Sequence, residues 1–213
     1  MKGTSRENGL AARNDVRAAW WMAAGLLWLA SACASGPTPR PEAAVVTPER
    51  LYPLTLGSAW SYDVDAGDGE AVLAITRVVE AGPGYAGVLG GEGVRRYELR
   101  PDGVFQGALG GYLLKAPIAA NASWDAGRGV TARVAETGVA VETAAGRFSG
   151  CVRVVEEGAA SGAVVRTTYC PDVGPVEVES RIVLDHGAVQ VIARLRGYRI
   201  GGEPANPNAV KPN

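Results

Sequence analysis

The sequence is short of the side chains from which most catalytic and metal centres are built: one histidine, three cysteines, two methionines and two phenylalanines in 213 residues. A single imidazole, His186, excludes the multi-histidine zinc sites. A Ser/His/Asp triad would have to use that same residue, yet no Gly-x-Ser-x-Gly elbow occurs anywhere. Three lysines, none in a Gly-Lys-Ser/Thr sequence, exclude a Walker phosphate loop. No Cys-x-x-Cys pair is present to form a tuned redox dithiol. The uncharged apolar stretch at 18–32 is 15 residues long, short of the roughly 20 that a bilayer-spanning helix needs. Between 50 and 200 no segment sustains helical spacing of apolar residues.

What the chain does have begins with an address. Lys2, Arg6, Arg13 and Arg17 stand against Glu7 and Asp15, followed by the apolar stretch and the small residues Ala30, Ser31 and Ala32. That order is a secretory signal. The sequence Leu29-Ala30-Ser31-Ala32-Cys33 resembles the lipobox of bacterial lipoproteins. The resemblance implies cleavage before Cys33, a diacylglyceryl group on its sulfur and, with Ala34 rather than Asp following, sorting to the outer membrane. Several buried acyl chains at about 0.8 kcal/mol per methylene would make such an anchor permanent. Residues 1–32 are thus expected to be a helical signal peptide.

The expected domain limits follow from composition. Residues 33–49 carry Pro37, Pro39 and Pro41 with few large apolar residues, so they read as a flexible tether. Residues 50–200 are expected to form one β domain, and 201–213, with Pro204 and Pro207, a disordered C-terminal tail. Beyond residue 32 the chain holds 17 basic and 20 acidic groups, a net charge near −3. It offers no basic face for nucleic acid.

The predicted fold is all-β and mainly antiparallel, a single strongly curved sheet or half-barrel. Short β-rich runs recur about every ten residues, punctuated by Gly, Asp or Pro. They cover 59–64, 71–79, 85–89, 94–99, 103–106, 112–115, 130–135, 139–143, 151–156, 164–169, 176–184 and 188–196. A weak repeat is superposed on them. Pro53-Leu54-Thr55-Leu56-Gly57-Ser58-Ala59-Trp60 recurs 64 residues later as Pro117-Ile118-Ala119-Ala120-Asn121-Ala122-Ser123-Trp124. Gly57 and Asn121 are the two residue types that most readily turn left-handed, so each octapeptide reads as a turn leading into a strand headed by a large anchor. Trp60 and Trp124, with Tyr62, are expected to be core anchors; a ligand-facing role is the alternative.

Cys151 and Cys170 flank a turn at 158–162. If that hairpin is centred between Ala160 and Ser161, positions whose numbers add to 321 face each other, and the two cysteines do. A disulfide is expected, because two thiols in an oxidising compartment are usually paired. It would close 19 residues and contribute on the order of 3 kcal/mol.

Tyr52-Pro53-Leu54, Gly57, Trp60 and Tyr62, then Pro117 and Trp124, then Ala145-Gly146-Arg147-Phe148 through Cys151, then Tyr169-Cys170-Pro171-Asp172-Val173-Gly174-Pro175-Val176 follow one order of motifs. That order resembles a broad group of uncharacterised bacterial lipoproteins with a curved antiparallel sheet, similar in shape to the half-barrels of periplasmic lipoprotein carriers. The resemblance covers roughly 50–199 and rests on turns and aromatic anchors.

Other patterns point to plain structure. Asp63 through Glu70 fails the calcium-loop register, having Asp68 where Gly is needed and Ala74 where Glu is needed. The glycines from Gly87 to Gly93 precede no helix that would supply a dipole for phosphate. His186, between Asp185 and Gly187, reads as a hairpin turn. No cofactor, metal site or catalytic residue is expected. The leading expectation is a non-enzymatic outer-membrane lipoprotein, facing the periplasm, held by lipid on Cys33 and binding a protein partner or assembling envelope components. A carrier of a lipid or hydrophobic ligand is the alternative, and an enzyme built on carboxylates alone comes last.

Overall fold

A computed structural model describes residues 46–67, 69–158, 162–184 and 187–202. The expected signal peptide, Cys33, most of the tether, His186 and the last eleven residues lie outside them. The first element, α1 (Pro48–Leu51), is one turn with Thr47 as its N-cap and Pro48 at its first position. It straddles the boundary that composition placed at 50.

Twelve antiparallel strands follow: β1 (Ala59–Asp65), β2 (Ala71–Gly82), β3 (Tyr85–Gly90), β4 (Gly93–Arg100), β5 (Gly103–Gln106), β6 (Gly111–Lys115), β7 (Ser123–Gly127), β8 (Val130–Thr143), β9 (Gly146–Gly158), β10 (Val164–Cys170), β11 (Gly174–Leu184) and β12 (Gly187–Arg199). Their order in the sheet is β6-β5-β4-β3-β2-β1-β12-β11-β10-β9-β8-β7. Every neighbour is therefore adjacent in sequence except β1 and β12, which close the chain's two ends on each other. The all-β, single curved sheet is as expected, and its curvature goes beyond a half-barrel. The free strands β6 and β7 come together, so that a Cβ added to Gly111 would lie 2.0 Å from the carbonyl carbon of Ala126. Only glycine permits that approach.

Ten of the expected runs match observed strands within a few residues, and two differ for physical reasons. The runs at 130–135 and 139–143 are one strand, β8, which passes Gly138 by means of three register irregularities against β9. Strand β7 was not among the expected runs, since Asp125 and Gly127 are poor strand formers. The β9–β10 hairpin keeps the predicted register from Glu157↔Val164 to Val152↔Tyr169, and Cys151 and Cys170 are joined by a disulfide.

The octapeptide repeat is a repeat of structure. Gly57 and Asn121 both have left-handed backbones, with φ of 86° and 66°. The Gly57 N–H donates to the Val78 carbonyl at 3.1 Å, and the Val78 N–H donates to Ser58 at 2.8 Å. In the second copy Asn121 donates to Val134 at 2.9 Å, and Val134 donates to Ala122 at 2.8 Å. The barrel is thus two six-stranded meanders, β1–β6 and β7–β12, launched by the same turn. Because the turn demands positive φ and Asn121 is exposed, replacing it tests backbone conformation with little change in contacts. Asn121→Gly is expected to leave stability within a few tenths of a kcal/mol and Asn121→Ala to cost about 1 kcal/mol. Urea unfolding of the two variants measures this.

Candidate interaction site

Alternation along the strands turns one row of side chains inward, and in the first meander that row begins with aromatics. Trp60 and Tyr62 on β1 are buried. The Trp60 indole N–H donates to the Val173 carbonyl at 2.6 Å, and the Tyr62 hydroxyl donates to the Pro175 carbonyl at 3.0 Å. Both bonds run from the first meander to the second, at the β10–β11 turn and the start of β11. Helix α1 brings Leu51 and Tyr52 into the same space; the Tyr52 ring lies 5.4 Å from Trp60, 5.9 Å from Tyr97 and 6.3 Å from Tyr169. These aromatics fill the barrel. Burial pushes the Tyr52, Tyr62, Tyr97 and Tyr169 hydroxyls above their ordinary ionisation range. The helix is pinned by Arg50, whose Nε donates to Asp172 at 3.0 Å while Nη2 binds the other carboxylate oxygen. That guanidinium holds the Asp172 carboxyl below its usual range.

Trp124 makes the reciprocal contact. It is buried on β7, and its indole N–H donates to the Tyr112 carbonyl on β6 at 2.9 Å, across the junction where the two ends of the sheet meet. Arg128 adds a bond to the Ala108 carbonyl at 3.1 Å on the same side. Trp60, Tyr62 and Trp124 are thus placed in the core, each bonded to backbone of the opposite meander. Of the other residues weighed from sequence, Asp63 pairs with Arg196 at 3.0 Å, and Asp65 accepts the Gly67 N–H at 2.7 Å in a polar turn; Asp68 lies outside the described residues. The glycines at 87–93 serve the β3–β4 hairpin.

Part of the outer face is charged in a regular way. One line of cross-strand partners runs Asp63, Arg194, Glu177, Thr168, Arg153, Glu136 over six strands from β1 to β8. Arg194 reaches Glu177 at 3.2 Å, and Arg153 reaches Thr168 at 3.4 Å and Glu136 at 2.7 Å. Each such exposed pair contributes at most about 1 kcal/mol. On β2 the same line of partners continues to Leu73, which is exposed, as are Val72 and Ile75 beside it.

The sheet wall is incomplete beside β4. Strand β5 pairs only with Glu98, Leu99 and Arg100 of β4, and beyond Gln106 the chain turns away to β6. A cleft of about 980 Å³ lies along the uncovered part of β4, between Val94–Glu98 and Gln106–Leu109. On its inner side a smaller pocket of about 390 Å³ reaches Glu156 from Arg95 and Tyr97. Sequence reasoning did not single out this site, since its residues come from separate strands and match no motif.

Glu156 is half-buried, and burial raises its carboxyl above the ordinary carboxylate range. A group that binds its proton more tightly when folded stabilises the fold fully at low pH and loses that contribution as pH rises through the raised value. Wild-type stability is therefore expected to fall relative to Glu156→Gln as pH climbs from about 4 to about 7. Urea titrations across that range check the sign; parallel pH profiles would contradict it.

No protein-family model matches this chain, and no curated protein sequence does. Among solved structures it is similar to a Bacteroides fragilis protein assigned as exported, with a YmcC-like fold, at 13% identity and a TM-score of 0.46 over 70% of this chain and 98% of that one. It is also similar to a Parabacteroides distasonis protein assigned as a lipoprotein, at 16% identity and a TM-score of 0.40 over the same shares.

Proposed function

We propose that this chain is a lipid-anchored lipoprotein of the outer membrane, facing the periplasm, and that its barrel is a non-catalytic binding or assembly module. The basic leader, the small residues before Cys33 and the following Ala34 support the anchor and its sorting. The ion-paired row from β12 to β8 supports that side of the barrel standing in water.

The observation that carries the choice of module over carrier is the filled interior. A carrier of an acyl chain needs a continuous apolar trough of several hundred Å³. Here Tyr52, Trp60, Tyr62, Tyr97 and Tyr169 occupy the core, and the cleft of about 980 Å³ along β4 sets Glu80, Arg95, Arg96 and Glu98 beside Tyr85, Val94 and Leu109. A second cleft of about 860 Å³, with Pro117, Ile118 and Val152 in its lining, lies beside α1. Against an enzyme built on paired carboxylates, the pocket that reaches Glu156 is lined by no second acid among the described residues.

Native mass spectrometry of the full chain, extracted from its own membrane, tests the reading. The expected species begins at Cys33 and carries covalent acyl groups, with no further bound lipid. A stoichiometric non-covalent lipid would establish the carrier instead, and an unprocessed or unlipidated chain would remove the anchor.

A further inference from the structure

The two meanders start from the same turn, and their fourth strands, β4 and β10, end alike. Strand β4 ends in Arg100-Pro101-Asp102-Gly103 and β10 in Cys170-Pro171-Asp172-Val173-Gly174. In each the turn closes on the strand's last residue, with Arg100 opposite Gly103 and Cys170 opposite Gly174. The next strand then buries a valine completely, Val104 in one and Val176 in the other. Counting back from those turns, Val94 corresponds to Val164 and Arg96 to Arg166.

In the second meander these positions are covered. Val164 through Thr168 pair with β11 from Arg181 to Glu177, and Arg166 lies opposite Glu179, with its Nη1 3.3 Å from Glu179 Oε1. In the first meander β5 stops at Gln106, and the same length of β4 borders the cleft. The Leu99 N–H points to β3, donating to the Gly84 carbonyl at 2.7 Å. By the two-residue period of an antiparallel strand, Val94 and Arg96 turn their N–H and C=O groups the other way, into the cleft. An edge of this kind is a template for an added strand.

We propose that the cleft receives an extended peptide from another protein, which adds as an antiparallel strand on β4 between Gly93 and Tyr97. The second meander defines its chemistry: an acidic residue across from Arg96 on the outer side, where it would share that guanidinium with Glu80, preceded by an apolar residue across from Tyr97 on the inner side. The chain's own outlying segments suit the place poorly. Residues 34–45 carry Pro37, Pro39 and Pro41, and 203–213 carry Pro204, Pro207 and Pro212, each lacking the N–H that a ladder requires. This inference deepens the reading of the barrel as a binding module and rests on it. The two fail separately, because the mass measurement reports on the interior and the anchor while the test below reports on the β4 edge.

The probe is an end-blocked synthetic peptide with the sequence of residues 176–181, which occupies the corresponding place on β10. Added to the full-length chain, it is expected to slow amide exchange at Val94 and Arg96. A Glu179→Lys peptide is expected to bind about two- to five-fold more weakly, the range of one exposed charge pair. The Arg96→Glu chain is expected to reverse that preference, which guards against a variant that merely fails to fold. Three results would overturn the proposal: no protection at Val94 and Arg96 at millimolar peptide, protection confined to β10, or protection that grows with protein concentration without peptide. The last would assign the edge to a second copy of this chain.

Discussion

Besides the β1–β12 ladder, two indole N–H groups tie the two halves of this barrel to each other. Trp60, at the head of the first meander, donates to the Val173 carbonyl in the second, and Trp124, at the head of the second, donates to the Tyr112 carbonyl in the first. The Trp124 bond stands where the two terminal strands of the sheet meet, and where Gly111 lets the backbones approach. A buried tryptophan needs a partner for its N–H, and here that need links each half to the other. Much else follows from this arrangement: the aromatic filling around Trp60 and the docking of α1 onto the β10–β11 turn.

The repeat also explains the asymmetry. Both meanders start from the same left-handed turn, and their fourth strands end in matching turns. The first copy has a four-residue β5 where the second has the eleven-residue β11. The cleft beside β4 is the space left by that difference; Arg96, which pairs with Glu80 on β2, stands where Arg166 meets Glu179 across β10 and β11. A structural repeat with one short strand thus leaves an open edge on β4.

Much of the fold was legible in the sequence because its strands are short, punctuated by glycine and alternating in polarity. The register that brings Cys151 and Cys170 together could be counted from the turn between them, and the exchange of Gly57 for Asn121 marked a backbone that must turn left-handed. The strand β7 was not legible in the same way. Ser123-Trp124-Asp125-Ala126-Gly127 has little strand propensity of its own and owes its place to Trp124 and the junction with β6. The β4 edge was hidden for a different reason. Val94 to Tyr97 reads as an ordinary strand, and only the sheet order shows that nothing covers it. Glu156 and Tyr97 likewise sit in ordinary runs, and their convergence with Arg95 exists only once the sheet has curled.

The reciprocal indole bonds are tested most directly by Trp124→Phe, which keeps a large ring in the core and removes the donor. If the Trp124–Tyr112 bond closes the barrel, the variant loses about 1–3 kcal/mol, and amide exchange accelerates in β6 and β7 while β1 and β12 keep their protection. Unchanged exchange at β6 and β7, or equal acceleration across all twelve strands, would contradict a barrel held shut at that junction by the tryptophan.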